Sequence, residues 1–185
     1  MDFSALENDI LSFWFGPEPH RKREVWFQRD GAFDAEIARR FGAVYDAAVA
    51  GELDGMAGSP GGCLALILVL DQFPRNLFRD DPRAFAGDEK ARALSRRAVA
   101  NGFDGALSDL QRQFLYMPFQ HSEDLDDQRR SVALFAPMDA ESRRYAQRHL
   151  EIIERFGRFP HRNAALGRET TAAEAAFLQE PDSSF

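Results

Sequence analysis

Residues 63–73 read Cys-Leu-Ala-Leu-Ile-Leu-Val-Leu-Asp-Gln-Phe, and the next residue is Pro74. The run is apolar nearly all round, which predicts a helix covered on several sides, closed by the proline. Its uninterrupted apolar part, Cys63 to Leu70, is 8 residues long, against the roughly 20 that a bilayer span requires. No membrane segment is expected. This helix is the natural core element, and the flanking sequence supplies amphipathic partners for it.

On the N-terminal side, Ser4 and Glu7 have capping-box spacing before the stripe Leu6, Ile10, Leu11, Trp14, and Gly16-Pro17 ends it. Phe33, Ile37, Phe41, Val44 and Ala48 recur at three- and four-residue steps up to Gly51, a second helix. Gly55 to Gly62, with four glycines and a proline, reads as a surface loop. On the C-terminal side, Asp88 to Ala100 is a fourth helix, stopped by Asn101-Gly102, and a fifth starts at the Ser108–Gln111 box and runs to about Tyr116 before Pro118. Ser122 caps a sixth, with Glu123 and Asp124 in its first turn. Asp139 caps a seventh that ends at Gly157, and Thr171 with Glu174 opens a short eighth. Helix starts recur and strand signals do not. The expectation is an all-α chain, one domain over 1–185, of about eight helices packed as antiparallel hairpins; no strict 34-residue period is present.

The chain has 185 residues and a formal net charge of −7, which argues against a nucleic-acid partner. Arg supplies 21 of the 23 basic residues and Phe 17 of the 22 aromatics. Arg carries a rigid donor fork for carboxylates and phosphates, so the bias fits either internal ion pairs or recognition of an anion. Cys63 is the only cysteine, which excludes an internal disulfide and suits a reducing compartment. Met1 to Phe15 holds three acids and no basic residue, unlike an export signal. A cytoplasmic location is the expectation.

Three segments combine aromatics, prolines and charge: Asp71 to Asn76 (DQFPRN), Tyr116 to Asp124 (YMPFQHSED) and Phe156 to Asn163 (FGRFPHRN). The first and third nearly repeat each other and follow apolar helices. In them and the adjoining Leu166-Gly167-Arg168, the chain resembles the DUF924 family of bacterial proteins, through DQFPRN (71–76), FLYMPFQHSEDL (114–125) and FGRFPHRNAALGR (156–168). The resemblance extends from ILSFWFG (10–16) to PDSSF (181–185). It implies a TPR-like helical fold and supplies no reaction. Met56 and Ala172 depart from the family's usual Trp and Pro.

The residues themselves suggest a site. His121 with Asp124 or Glu123 is the best acid/base set, because a carboxylate orients an imidazole and raises its proton affinity. Helix capping accounts for Ser122, Glu123 and Asp124 equally well. His161, Arg162 and Asn163, with Arg75, Arg158 and Arg168, form a donor-rich set complementary to a small anion, and Asp71 and Asn76 complete the candidate binding residues. The competing reading is an internal network in which Asp71, Glu123 and Asp124 answer the arginines. No ligand spacing for a metal is present, and Gly58 to Gly62 lacks the Lys-Ser/Thr ending of a phosphate loop, so no cofactor is expected. His149 reads as a core histidine, His20 as exposed and Cys63 as a buried inert thiol. A non-enzymatic module offering a Phe-rich groove to a peptide or protein is the alternative function.

Overall fold

The computed structural model describes residues 2–184; Met1 and Phe185, the ends of the 1–185 reading, lie outside the described residues. Among the described residues every regular element is helical: α1 (Ser4–Phe15), α2 (Gly31–Ala50), α3 (Pro60–Ile67), α4 (Phe73–Leu77), α5 (Asp88–Ala100), α6 (Asp109–Gln120), α7 (Leu125–Phe135), α8 (Ala140–Phe156) and α9 (Ala172–Phe177). Leu68–Gln72 joins α3 to α4 as a π-helical turn, so the two form one continuous helix and the total is the eight expected.

Side chains that satisfy orphan N–H groups set most helix starts. Asp30 accepts from the amides of Ala32 and Phe33, Asp139 from Glu141 and Ser142, and Thr171 and Glu174 close a reciprocal box. Ser108 and Gln111 likewise bond each other's backbone ends. The Ser4–Glu7 box does not form. Ser4 donates its amide to Asp2, and Glu7 turns instead toward the Ser59 hydroxyl that caps α3. Nor is Gly55 to Gly62 a loop throughout: Asp54–Gly58 is a 3-10 turn and Pro60 already begins α3.

Two prolines do not stop their helices. In a regular α-helix a proline ring collides with the carbonyl four residues earlier, which for Pro74 is Leu70. Here the π turn intervenes, with the Phe73 amide reaching back five residues to the Leu68 carbonyl, and the chain continues to Leu77. The Leu70 carbonyl lies against Gly87, where an added Cβ would sit 2.3 Å from the oxygen. Backbone cannot yield as a flexible side chain can. Gly87→Ala is therefore expected to cost about 1–3 kcal/mol in overpacking, read from the urea midpoint; an unchanged midpoint would refute the close approach. Pro118 lies inside α6, which extends to Gln120 rather than ending at Tyr116.

The described residues divide into two compact units, one of residues up to Arg79 with Arg83–Pro118, the other of Asp80–Pro82 with the residues from Phe119 onward. In the first, the run from Cys63 to Leu70 is fully buried, with α1, α2 and α5 packed against it, and aromatic rings cluster in the same unit. Trp14 stacks on Trp26 at 5.9 Å between centroids and meets Phe114 edge-on at 5.5 Å, while Phe41 packs on Phe73 at 4.9 Å. The C-terminal end of α1 is tied down where the Trp14 carbonyl accepts from Arg23 (2.7 Å) and the Trp26 indole (3.0 Å). In the second, α7 packs on α8, and Ile152, Ile153, Phe159 and Phe177 form the buried centre with Leu125 and Phe156 beside them.

Candidate functional site

Within the second unit the third motif follows directly from its helix end. Gly157 takes the left-handed conformation (φ 69°) that stops α8, the chain buries Phe159, and Pro160–Arg162 makes one 3-10 turn. Carboxylates pin this excursion. Glu123 accepts the Phe159 amide at 2.8 Å and receives the Arg168 fork at 2.8 and 3.0 Å. Glu174 receives the Arg158 fork at 2.6 and 2.9 Å while closing the α9 box. Burial works to raise the Glu123 pKa, but the Arg168 fork, the Phe159 amide and the Arg162 charge outweigh it and hold the carboxyl below its ordinary value. The Arg158 guanidinium holds Glu174 far below the usual carboxylate range.

The second motif is built around the break between α6 and α7. Asp124, not Ser122, caps α7, accepting from the amides of Asp126 and Asp127 at 3.0 Å. The helix starts at Leu125, so His121 lies in the preceding turn and does not share a helical face with Asp124. The Ser122 hydroxyl donates to the buried Asp127 carboxylate at 2.9 Å. Gln128, fully buried, donates its amide to the carbonyls of Gln120 (2.7 Å), Ser122 (2.6 Å) and, more weakly, Phe119 (3.4 Å). Gln120 ends α6 and Ser122 lies in the turn after it, and the Phe119 carbonyl also accepts the Ser122 amide at 3.2 Å.

Four basic side chains gather beside this frame. His149 lies on α8 with 3% of its surface exposed, and its ring is 6.4 Å from that of His121 and 5.5 Å from that of Phe159. His161 approaches the same phenylalanine at 5.6 Å, and the Arg162 guanidinium lies 4.6 Å over its face. Asn163, fully buried, reaches Thr170 through its amide nitrogen. The His149 Nδ1 is 2.8 Å from the Tyr145 carbonyl and 3.2 Å from the Gln120 amide. Burial, followed by the charges of His121, Arg162 and His161, pushes the His149 pKa well below that of a free imidazole, against the opposing pull of the Tyr145 carbonyl. His149 is buried as expected of a core histidine, and it also belongs to the polar cluster. A single histidine on an apolar helix face gave no signal of that.

A pH dependence follows. The unfolded chain takes up a proton on His149 below about pH 6.5 while the folded chain resists it, so the unfolded state binds more protons and stability falls on acidification. Between about pH 6.5 and 5 the loss from this residue should approach about 1 kcal/mol per pH unit. Glu123 and Asp139, whose folded pKa values are lowered, contribute stability that is lost only at lower pH, below about 4.5. Urea midpoints at pH 7 and 5.5 should therefore differ, and the difference should shrink in His149→Gln; an equal difference in the variant would contradict this.

The first motif belongs to the first unit. Asp71, fully buried in the π turn, is 2.5 Å from the Gln72 amide and 3.5 Å from Arg75. Arg75 forks onto Asp88 at 3.0 and 3.1 Å and reaches the Ala84 carbonyl at 2.8 Å. Asn76 donates to Asp34 at 2.7 Å, and Arg79 forks onto the same carboxylate. Burial pushes the Cys63 thiol up to about 11, which leaves it protonated. His20 is half-buried rather than exposed, because its ring packs on Phe15 at 5.3 Å. A surface depression of about 350 Å³ lies along the 15–23 connector, lined by Phe15, Arg21 and Arg23 among others, and holds none of the motif residues. Among the described residues no His, Cys, Asp and Glu side chains group as a metal site would, and no helix is long and apolar enough to cross a membrane.

The model of a family described as bacterial protein of unknown function (DUF924) matches residues 10–182. A solved structure of a protein of unknown function from Agrobacterium tumefaciens is 43% identical, covers 96% of this chain and 99% of its own, and superposes with a TM-score of 0.90. No curated protein matches.

Proposed function

The chain belongs to the DUF924 family of bacterial proteins, whose function is unknown, and we propose from the geometry of the second unit that it binds a small anionic ligand. The observation that carries this reading is the gathering of His149, His161 and Arg162 around Phe159, with His121 beside His149. Guanidinium and imidazole donors brought to one place complement a carboxylate or phosphate. His121, half-buried at the end of α6, is the acid/base group of the proposal, and His161, Arg162 and Asn163 are the binding groups. Glu123 and Asp124 serve by fixing the turn that carries His121. For Asp71, Arg75, Asn76, Arg158 and Arg168 we propose the other role, internal ion pairs and hydrogen bonds that hold each motif in shape. Among the described residues Phe27 is the one exposed phenylalanine, which favours the anion reading over a Phe-rich docking groove.

The proposal extends to the setting. TPR-like stacking of the helical pairs, one folding domain over 1–185 and a cytoplasmic location, the last resting on the free buried Cys63, are parts of it.

A thermal-shift screen against inorganic phosphate, sulfate and small carboxylates tests the reading. A ligand present at 100 times its Kd stabilises the native state by about 2.7 kcal/mol, or roughly 5–10 °C for a chain of this size. Arg162→Lys, which keeps the charge and loses the fork, should lose most of the shift while its far-UV spectrum stays native. If no anion moves the wild-type Tm, the reading fails.

A further inference from the structure

We propose that the depression along the 15–23 connector, in the first unit, is a binding site for a small organic carboxylate: the Arg21 and Arg23 guanidiniums take the carboxylate, and Phe15, Pro17 and Pro19 cover an apolar body. The local sequence builds it. The carbonyls of Phe13 and Phe15, at the end of α1, would take helical amides from residues 17 and 19, and both of these are prolines, which have no N–H. Arg23 supplies the missing donor. Its Nη1 reaches the Phe13 carbonyl at 2.6 Å and the Trp14 carbonyl at 2.7 Å. One nitrogen serves both, so among the described residues Nε and Nη2 are left without an acceptor. Those two donors lie side by side on one edge of the guanidinium, the arrangement that a carboxylate engages at two points.

Arg21 is exposed and has no hydrogen-bond, ion-pair or ring partner among the described residues. Neither arginine of the depression meets a carboxylate there, in a chain with 30 acidic residues against 23 basic ones. The acid in the lining is Glu18. With 84% of its side chain exposed and its oxygen 3.6 Å from His20 Nε2, it stands in solvent, where salt screens its repulsion of a ligand. The volume, about 350 Å³, falls within the roughly 300–1,000 Å³ of small-molecule sites. The rest of the lining selects a carboxylate over a phosphate. Phosphate sites gather several backbone N–H groups, whereas Pro17 and Pro19 have none and the Gly16 amide is engaged by the Ser12 carbonyl. Recognition of charge is left to the two guanidiniums, and the proline and phenylalanine rings call for an apolar body beside it.

The test uses the full chain, uniformly labelled with nitrogen-15, and sodium benzoate as the probe at constant ionic strength, with sodium acetate and sodium phosphate in parallel. Expected is a saturable benzoate titration that moves the Arg23 Nε–H and Gly16 amide signals. Acetate, which lacks the ring, should bind about tenfold more weakly. Arg21→Gln removes an exposed side chain without a partner, so its Tm should match wild type while its benzoate affinity falls about tenfold or more. Arg162→Lys, in the second unit, should bind benzoate at these signals as wild type does. Absence of saturable benzoate binding at these signals, or equal affinity in Arg21→Gln, would overturn the proposal. So would acetate or phosphate moving the same signals as tightly as benzoate, or loss of the benzoate shifts in Arg162→Lys. The anion reading of the second unit stands or falls separately, on the thermal-shift screen above.

Discussion

Trp14→Ala is expected to destabilise the protein by about 3–5 kcal/mol, the largest loss from any single truncation in the first unit. The indole is fully buried and packs against four aromatic neighbours, Trp26, Phe33, Phe73 and Phe114. Aromatic pairs in stacked and edge-on arrangements are worth more than their area alone, and the void left by an indole has rigid rings on several sides that relax poorly. The cost should read as a Tm lowered by roughly 10 °C or more and as a urea midpoint shifted at constant slope. Phe27→Ala is the control: with 52% of its surface exposed it should change stability by less than about 0.5 kcal/mol. If Trp14→Ala cost as little as the control, the aromatic cluster would not be the core of this unit.

Gln128→Leu is the second large effect, and it reaches the site. The side chain is fully buried and its amide serves the carbonyls of Gln120, Ser122 and Phe119. Leucine fills the space and offers no donor, so at least two carbonyls are left buried without partners, at about 1–3 kcal/mol each. A total of about 3 kcal/mol or more is expected, from the same urea measurement. The residues served flank His121, so the variant should also lose the anion-induced rise in Tm, even at a temperature where it is fully folded. A Gln128→Leu protein as stable as wild type would mean that these carbonyls find other partners.

The reach of sequence reasoning can be judged residue by residue. Capping at Asp139, at Ser108 with Gln111 and at Thr171 with Glu174 was legible because it depends on groups within three or four positions. Ser4 with Glu7 has the same spacing and failed, since a hydroxyl 52 residues further on, that of Ser59, competes for the Glu7 carboxylate. Pro74 and Pro118 read as stops because a proline disrupts a regular helix, yet at Pro74 a π turn absorbs the disruption. That turn carries Asp71 and Gln72, and no local pattern announced it. His149 was legible as buried, because its helical neighbours Tyr145, Ile152 and Ile153 are apolar or aromatic. Its company was not legible, because His121 and His161 approach it from segments 28 residues before and 12 residues after it.

The amino-acid sequence by itself determined that this protein is built of helices, where most of them begin, and that the run from Cys63 to Leu70 is interior. Those properties follow from hydrophobic period and local hydrogen bonding, which act over one or two turns. Only the tertiary structure decided which charges meet. It gave Glu123 to Arg168, Glu174 to Arg158 and Asp88 to Arg75, and it set His121, His149, His161 and Arg162 together, because ion pairing and burial depend on distance in space and leave no period in the chain.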